Sequence, residues 1–116
     1  MDSEKRKYLR VPLSVSVSYR VNHQTREEAY HVESVNIGEG GIFVKTDLPL
    51  GIGTDVELEF SLPNAPEPIR VCGKVVWSGG LETPGKGEVS GKGIRFTECK
   101  EHFRKLLTEY VQQASK

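Results

Sequence analysis

Leu13-Ser14-Val15-Ser16-Val17-Ser18-Tyr19-Arg20-Val21 alternates apolar and polar side chains without a break. Leu13, Val15, Val17, Tyr19 and Val21 share one phase; Ser14, Ser16, Ser18 and Arg20 share the other. Successive side chains of an extended chain point to opposite faces, so a period of two predicts a strand with one buried and one wet face. Pro12 has no N–H to donate and suits the beginning of such a strand.

The pattern recurs down the chain. Ala29 to Val35 predicts a second strand, with Tyr30 and Val32 on one face, and Ile42-Phe43-Val44 a third. Val56, Leu58, Phe60 and Leu62 alternate with Asp55, Glu57 and Glu59 in a fourth. Ile69 to Trp77 predicts a fifth, with Ile69, Val71, Val75 and Trp77 in phase and Gly73 marking a bulge. Gly93-Ile94-Arg95-Phe96 predicts a sixth. Asn22 to Glu28 reads as a loop. Asn36 to Gly41 carries three glycines in four residues and reads as a turn. Ser78 to Lys92 holds five glycines and a proline and reads as the most flexible internal segment.

Only the end is helical. Phe103, Leu106, Leu107, Tyr110 and Val111 recur at i, i+3, i+4, i+7 and i+8, the stripe of an amphipathic helix starting near Glu98. Six short strands at about ten-residue spacing, then one helix against the sheet, point to an all-β barrel or sandwich. The 116 residues suit one domain. Residues 1–12 read as a flexible N-terminal arm and 13–116 as the body.

Sixteen basic residues balance sixteen acidic ones. A general nucleic-acid binder carries a basic excess, so no DNA or RNA partner is expected. No apolar run approaches a membrane span and MDSEKRKYLR has no signal-peptide core, so no membrane contact and a cytoplasmic location are expected. Cys72 and Cys99 form no CxxC pair and read as reduced, partly buried thiols. His23, His31 and His102 have no metal-ligand spacing. No nucleophile–base or paired-carboxylate constellation is visible, so neither an enzyme nor a cofactor is expected.

Two features bear on ligand binding. Arg6 and Arg10 stand four apart just before the first strand. A guanidinium is permanently charged, and its planar fork of donors matches a phosphate or the O6/N7 edge of guanine. Asn36-Ile37-Gly38-Glu39-Gly40-Gly41 combines a side chain that both donates and accepts with glycines that let a flat ligand approach the backbone. Taken singly, the arginines suit a solvated terminus and the glycines a tight strand connection.

Together they resemble the PilZ domain family, whose motifs are RxxxR and [D/N]xSxxG. The resemblance rests on Arg6-x-x-x-Arg10, on Asn36-x-Gly38-x-x-Gly41 and Ile42-Phe43-Val44, on Lys74-Val75-Val76-Trp77, on Gly93-Ile94-Arg95-Phe96 and on the final helix. It implies a bacterial six-stranded antiparallel β-barrel with a C-terminal helix, and a receptor for cyclic di-GMP. It implies that Arg6 and Arg10 hold guanine and phosphate, that Asn36 bonds a guanine edge, that Gly41 keeps the turn open and that Lys5 adds charge. Trp77 reads either as a core or strand-face aromatic or, through the resemblance, as a neighbour of a base. Gly38 stands where the family has Ser, which forfeits one hydrogen bond, about 0.5–1.5 kcal/mol. The expected function is a cyclic di-GMP receptor that orders its arm on the ligand and signals through an unidentified protein partner. The alternative is a PilZ-fold adaptor of pilus or motility machinery that binds no nucleotide.

Overall fold

The structure, a computed structural model, describes residues 10–21, 29–83, 85 and 87–115. Seven strands run in the order β1 (Arg10–Pro12), β2 (Ser16–Val21), β3 (Tyr30–Gly38), β4 (Gly41–Lys45), β5 (Asp55–Phe60), β6 (Ile69–Thr83) and β7 (Gly87–Cys99), followed by α1 (Glu101–Ala114). All pairings are antiparallel, and β3–β2–β5–β6–β7–β4 closes on itself through β3–β4, a six-stranded barrel with β1 as one outside strand. The strands and helix expected from the periodicity are therefore present, and they close as the six-stranded barrel that the resemblance implied.

The inward phases make the core. Val17, Tyr19, Ile37, Ile42, Val44, Val56, Leu58, Ile69, Val75 and Ile94 are each no more than 2% exposed. The helix contributes buried Phe103, Leu107 and Val111 and packs against β1, β3 and β6. It begins at Glu101, three residues after the expected start, because β7 keeps its pairing with β6 as far as Cys99.

The expected arm is partly sheet. Arg10, Val11 and Pro12 pair with Gly38, Ile37 and Asn36, on the side of β3 where Ser16 to Tyr19 pair with Glu33 to Tyr30. Pro12 opposes Asn36 and Ser16 opposes Glu33, so residues 13–15 face only residues 34 and 35, a bulge. Ser34 is 2% exposed and holds this bulge: its hydroxyl donates to the Leu13 carbonyl and accepts from the Val15 N–H at 3.0 Å. The rest of the arm, Lys5 and Arg6 included, lies outside the described residues.

Two glycine-rich stretches depart from expectation. Asn36 to Gly41 is not a six-residue turn. β3 runs through Gly38, β4 starts at Gly41, and only Glu39 and Gly40 lie between them. Backbone pairing to β1 and β7 on either side supplies the regularity that the side chains do not. Ser78 to Lys92 is likewise no loop: β6 and β7 stay paired from Trp77–Gly93 out to Thr83–Gly87, a projecting ribbon. The turn signal there is confined to its tip, where Gly85 and Gly87 have φ of 78° and 73°. The bulge expected at Gly73 is present as a register shift between Cys72 and Gly73.

Ser34→Ala strands the Leu13 carbonyl and Val15 amide at a buried position, and is expected to cost about 1–3 kcal/mol. Urea unfolding of the two proteins measures it; a loss near zero would mean that the bulge holds itself.

Candidate functional site

Residues directly opposite in antiparallel strands point to the same face, so the register lists what the outer surface carries. One transverse row reads Arg10, Gly38, Gly41 and Arg95: Arg10 opposes Gly38, Gly41 opposes Arg95, and the two glycines terminate the hairpin just beyond the Ile37–Ile42 pair. The next row reads Pro12, Asn36, Phe43, Gly93 and Trp77. Together they form an open cleft of about 910 Å³ with a floor of glycine backbone.

Arg10 and Asn36 meet across β1 and β3. Arg10 Nη1 donates to Asn36 Oδ1 at 2.8 Å. Arginine has only donors, so the oxygen of the amide must face it, which leaves the Asn36 Nδ2 donors for an acceptor. Desolvation pushes the Arg10 guanidinium below its ordinary pKa, but the group stays charged at any physiological pH. Gly41 is required by space: a Cβ there would lie 2.5 Å from the Ile94 carbonyl oxygen and 3.4 Å from Arg10 Nη2. The strands and the Arg10 side chain therefore close over a position that only glycine can occupy.

Trp77 reaches this face through a break in register. Val75 opposes Ile94 and Trp77 opposes Gly93, so Val76 is an extra residue. Under unbroken alternation Trp77 would share the inward phase of Val75. With the extra residue, Val75 is fully buried while Trp77 is 43% exposed, which settles its place in favour of the surface. Phe43 packs beside it with ring centroids 5.6 Å apart and planes at 51°. The indole also lies over Gly79, where a Cβ would come within 3.2 Å of two ring carbons. A fixed indole edged by glycine is a surface on which another flat ring can lie.

Of the residues singled out from the sequence, Arg10, Asn36, Gly38, Gly41 and Trp77 converge on this one cleft. Arg6 and Lys5 lie outside the described residues. Phe43, Arg95 and Arg104 also line it and were not anticipated. Arg95 was legible as the outward residue between inward Ile94 and Phe96, and Arg104 as a cation off the helix stripe, but nothing local joined them to the cleft. Three arginines face it against one carboxylate, Glu39.

With this geometry in place, the PilZ domain profile matches residues 4–113 of the chain. The chain belongs to the PilZ domain family. A comparison with curated proteins gave no match. Among solved structures, the Bacillus subtilis inhibitor of motility MotI/DgrA aligns with a TM-score of 0.77 at 20% identity, covering 95% of this chain and 51% of that one. The PilZ domain of Escherichia coli YcgR, solved with c-di-GMP, aligns with a TM-score of 0.67 at 10% identity, covering 96% and 92%. The K. pneumonia MrkH–c-di-GMP complex aligns with a TM-score of 0.68 at 14% identity, covering 96% and 53%. This PilZ chain thus spans about half the length of MotI/DgrA and of MrkH. At these identities the likeness is one of fold.

A second cleft, about 570 Å³, lies over β2, β5, β6 and β7. Both of its arginines are already matched: Arg20 pairs with Glu57, and Arg70 Nε lies 3.4 Å from Glu59. Cys72 and Cys99 line it as thiols. Burial, then Glu98 and Glu57, push the Cys72 thiol up. Burial pushes Cys99 up as well, with Arg104 opposing and Glu101 adding to the rise. Among the described residues no group of three or more His, Cys, Asp or Glu side chains is placed to hold a metal, and no helix is long and apolar enough to cross a membrane.

A raised pKa keeps both thiols protonated at pH 7.5. Iodoacetamide should modify Cys72 and Cys99 more slowly than free cysteine at the same pH, with the rate rising as the pH climbs beyond the ordinary thiol range. Mass-spectrometric time courses would show this; rapid alkylation at pH 7 would contradict it.

Proposed function

We propose that this PilZ domain is a cyclic di-GMP receptor that acts through a protein partner and is not an enzyme. The observation that carries the reading is the glycine-floored cleft with Arg10, Asn36 and Trp77 on its walls. Each wall has a matching part in the ligand. The Arg10 fork fits guanine O6/N7 or a phosphate oxygen pair. The Asn36 Nδ2 donors fit a base acceptor. Trp77, backed by Phe43, offers a ring face to a purine, and the glycine row keeps bulky side chains off the floor of the cleft. Lys5 and Arg6 add charge from the arm in this reading. Support also comes from the fold shared with YcgR and MrkH, both solved with c-di-GMP. A cytoplasmic location belongs to the same reading.

Gly38 favours one other reading, an adaptor that binds protein but no nucleotide, because the family hydroxyl is missing beside Arg10. Its loss removes one neutral hydrogen bond, up to roughly tenfold in affinity. The charge-assisted contacts are the stronger class and remain.

Calorimetric titration with cyclic di-GMP separates the two. Saturable binding is expected, weakened about tenfold or more in Arg10→Ala and strengthened up to about tenfold in Gly38→Ser. Absence of heat with folded wild-type protein would favour the adaptor.

The arm provides the switch in this proposal. Residues 1–9 precede β1 and carry Lys5, Arg6 and Lys7, so a dianionic ligand beside Arg10 draws them over the cleft. Hydrogen exchange across residues 1–9 should slow at saturating cyclic di-GMP. Unchanged protection would sink the switch while leaving binding intact.

A further inference from the structure

Two groups of cations on the outer surface of this molecule contrast. Arg20, Arg70 and Lys74 each face a carboxylate of β5: Glu57, Glu59 and Asp55. Arg95 and Arg104 are exposed, and neither side chain makes a hydrogen bond or ion pair among the described residues. Both line the same cleft as Arg10, and neither belongs to the two family motifs.

Their positions are set by the sheet and the core. Arg95 sits opposite Gly41, at the far end of the row that starts with Arg10. Three strand spacings, roughly 14 Å of sheet, separate their backbones, but the Arg10 guanidinium reaches back over Gly41: a Cβ there would lie 3.4 Å from both Arg10 Nη2 and the Arg95 Cα. Arg104 follows buried Phe103 in the first turns of α1, so its backbone is held by core packing before any ligand arrives. Arg10, Arg95 and Arg104 thus line one cleft, with the Arg10 guanidinium held over its glycine row. A ligand with one anionic group engages Arg10, and a second anionic group has Arg95 and Arg104 left to meet it.

We propose that Arg95 and Arg104 form a second anion clamp that holds a second phosphate of the ligand in the cleft they share with Arg10. The proposal rests on the receptor reading, since it assigns these two side chains to the same ligand. It makes the ligand a bridge between β1 and α1. It also gives the cleft a preference for a doubly anionic dinucleotide over a mononucleotide. Substituting Arg95 and Arg104 removes charge from a rim and no contact from the core, so the fold should survive.

The test is calorimetric titration of cyclic di-GMP into wild type, Arg95→Ala/Arg104→Ala and Arg70→Ala, with thermal melting of each to verify folding. Arg70 is a control for general loss of positive charge, because it lies outside this cleft and faces Glu59. The double variant should lose about thirtyfold or more in affinity, as expected for two charge-assisted contacts, while Arg70→Ala stays within about twofold. Binding by the double variant should also depend less steeply on salt than that of wild type. A double variant within threefold of wild type, or an equal loss in Arg70→Ala, overturns the clamp and leaves the receptor reading standing. Wild type that binds no cyclic di-GMP overturns both.

Discussion

The sharing of β3 among three partners is the constraint on which the rest of the molecule depends. Its first half pairs with β2, its second half with β1, and its other edge with β4. The β3–β4 pairing closes the barrel and so removes a sheet edge that would otherwise be unpaired. The β1–β3 pairing seats Arg10 opposite Gly38. One strand thus serves both closure and site, and the buried Ser34 hydroxyl lets β1 and β2 run along it despite the intervening bulge.

Bulges recur where this barrel departs from simple alternation, and each redirects a side chain. Residues 13–15 let β1 continue past β2. Val76 turns Trp77 from the core to the surface. A register shift near Ser34 and Asn36 sets which β3 residues face Phe43. A strict period of two would place side chains on fixed faces along a whole strand. One inserted residue reverses every face beyond it, and the cleft is built from residues that lie beyond such insertions.

Charge follows a similar division. The chain is neutral overall, yet its carboxylates and cations are not mixed evenly over the surface. On β5, acidic side chains neutralise cations of β2 and β6, whereas the glycine-floored cleft gathers arginines with little to match them. Net charge argued against a broad nucleic-acid surface. It could not describe a local concentration of three arginines, because these come from β1, β7 and α1 and meet only in the folded chain.

What the sequence determined by itself was the set of elements and their inward faces. Alternation over Leu13 to Val21 and Val56 to Leu62 marked strands, the 3.6-residue stripe of Phe103 to Val111 marked the helix, and the two short motifs identified the family. Those signals are local, and local periodicity is a direct consequence of backbone geometry. The tertiary structure decided the rest. It turned the glycine stretches into strands, because pairing partners distant in sequence supplied their hydrogen bonds. It moved Trp77 outward, because the extra residue Val76 is defined only against β7 and, unlike the bulge at Gly73, carries no glycine to mark it. It set Arg95 in one cleft with Arg10 through register across four strands, and Arg104 through the packing of α1, and neither is spacing along the chain.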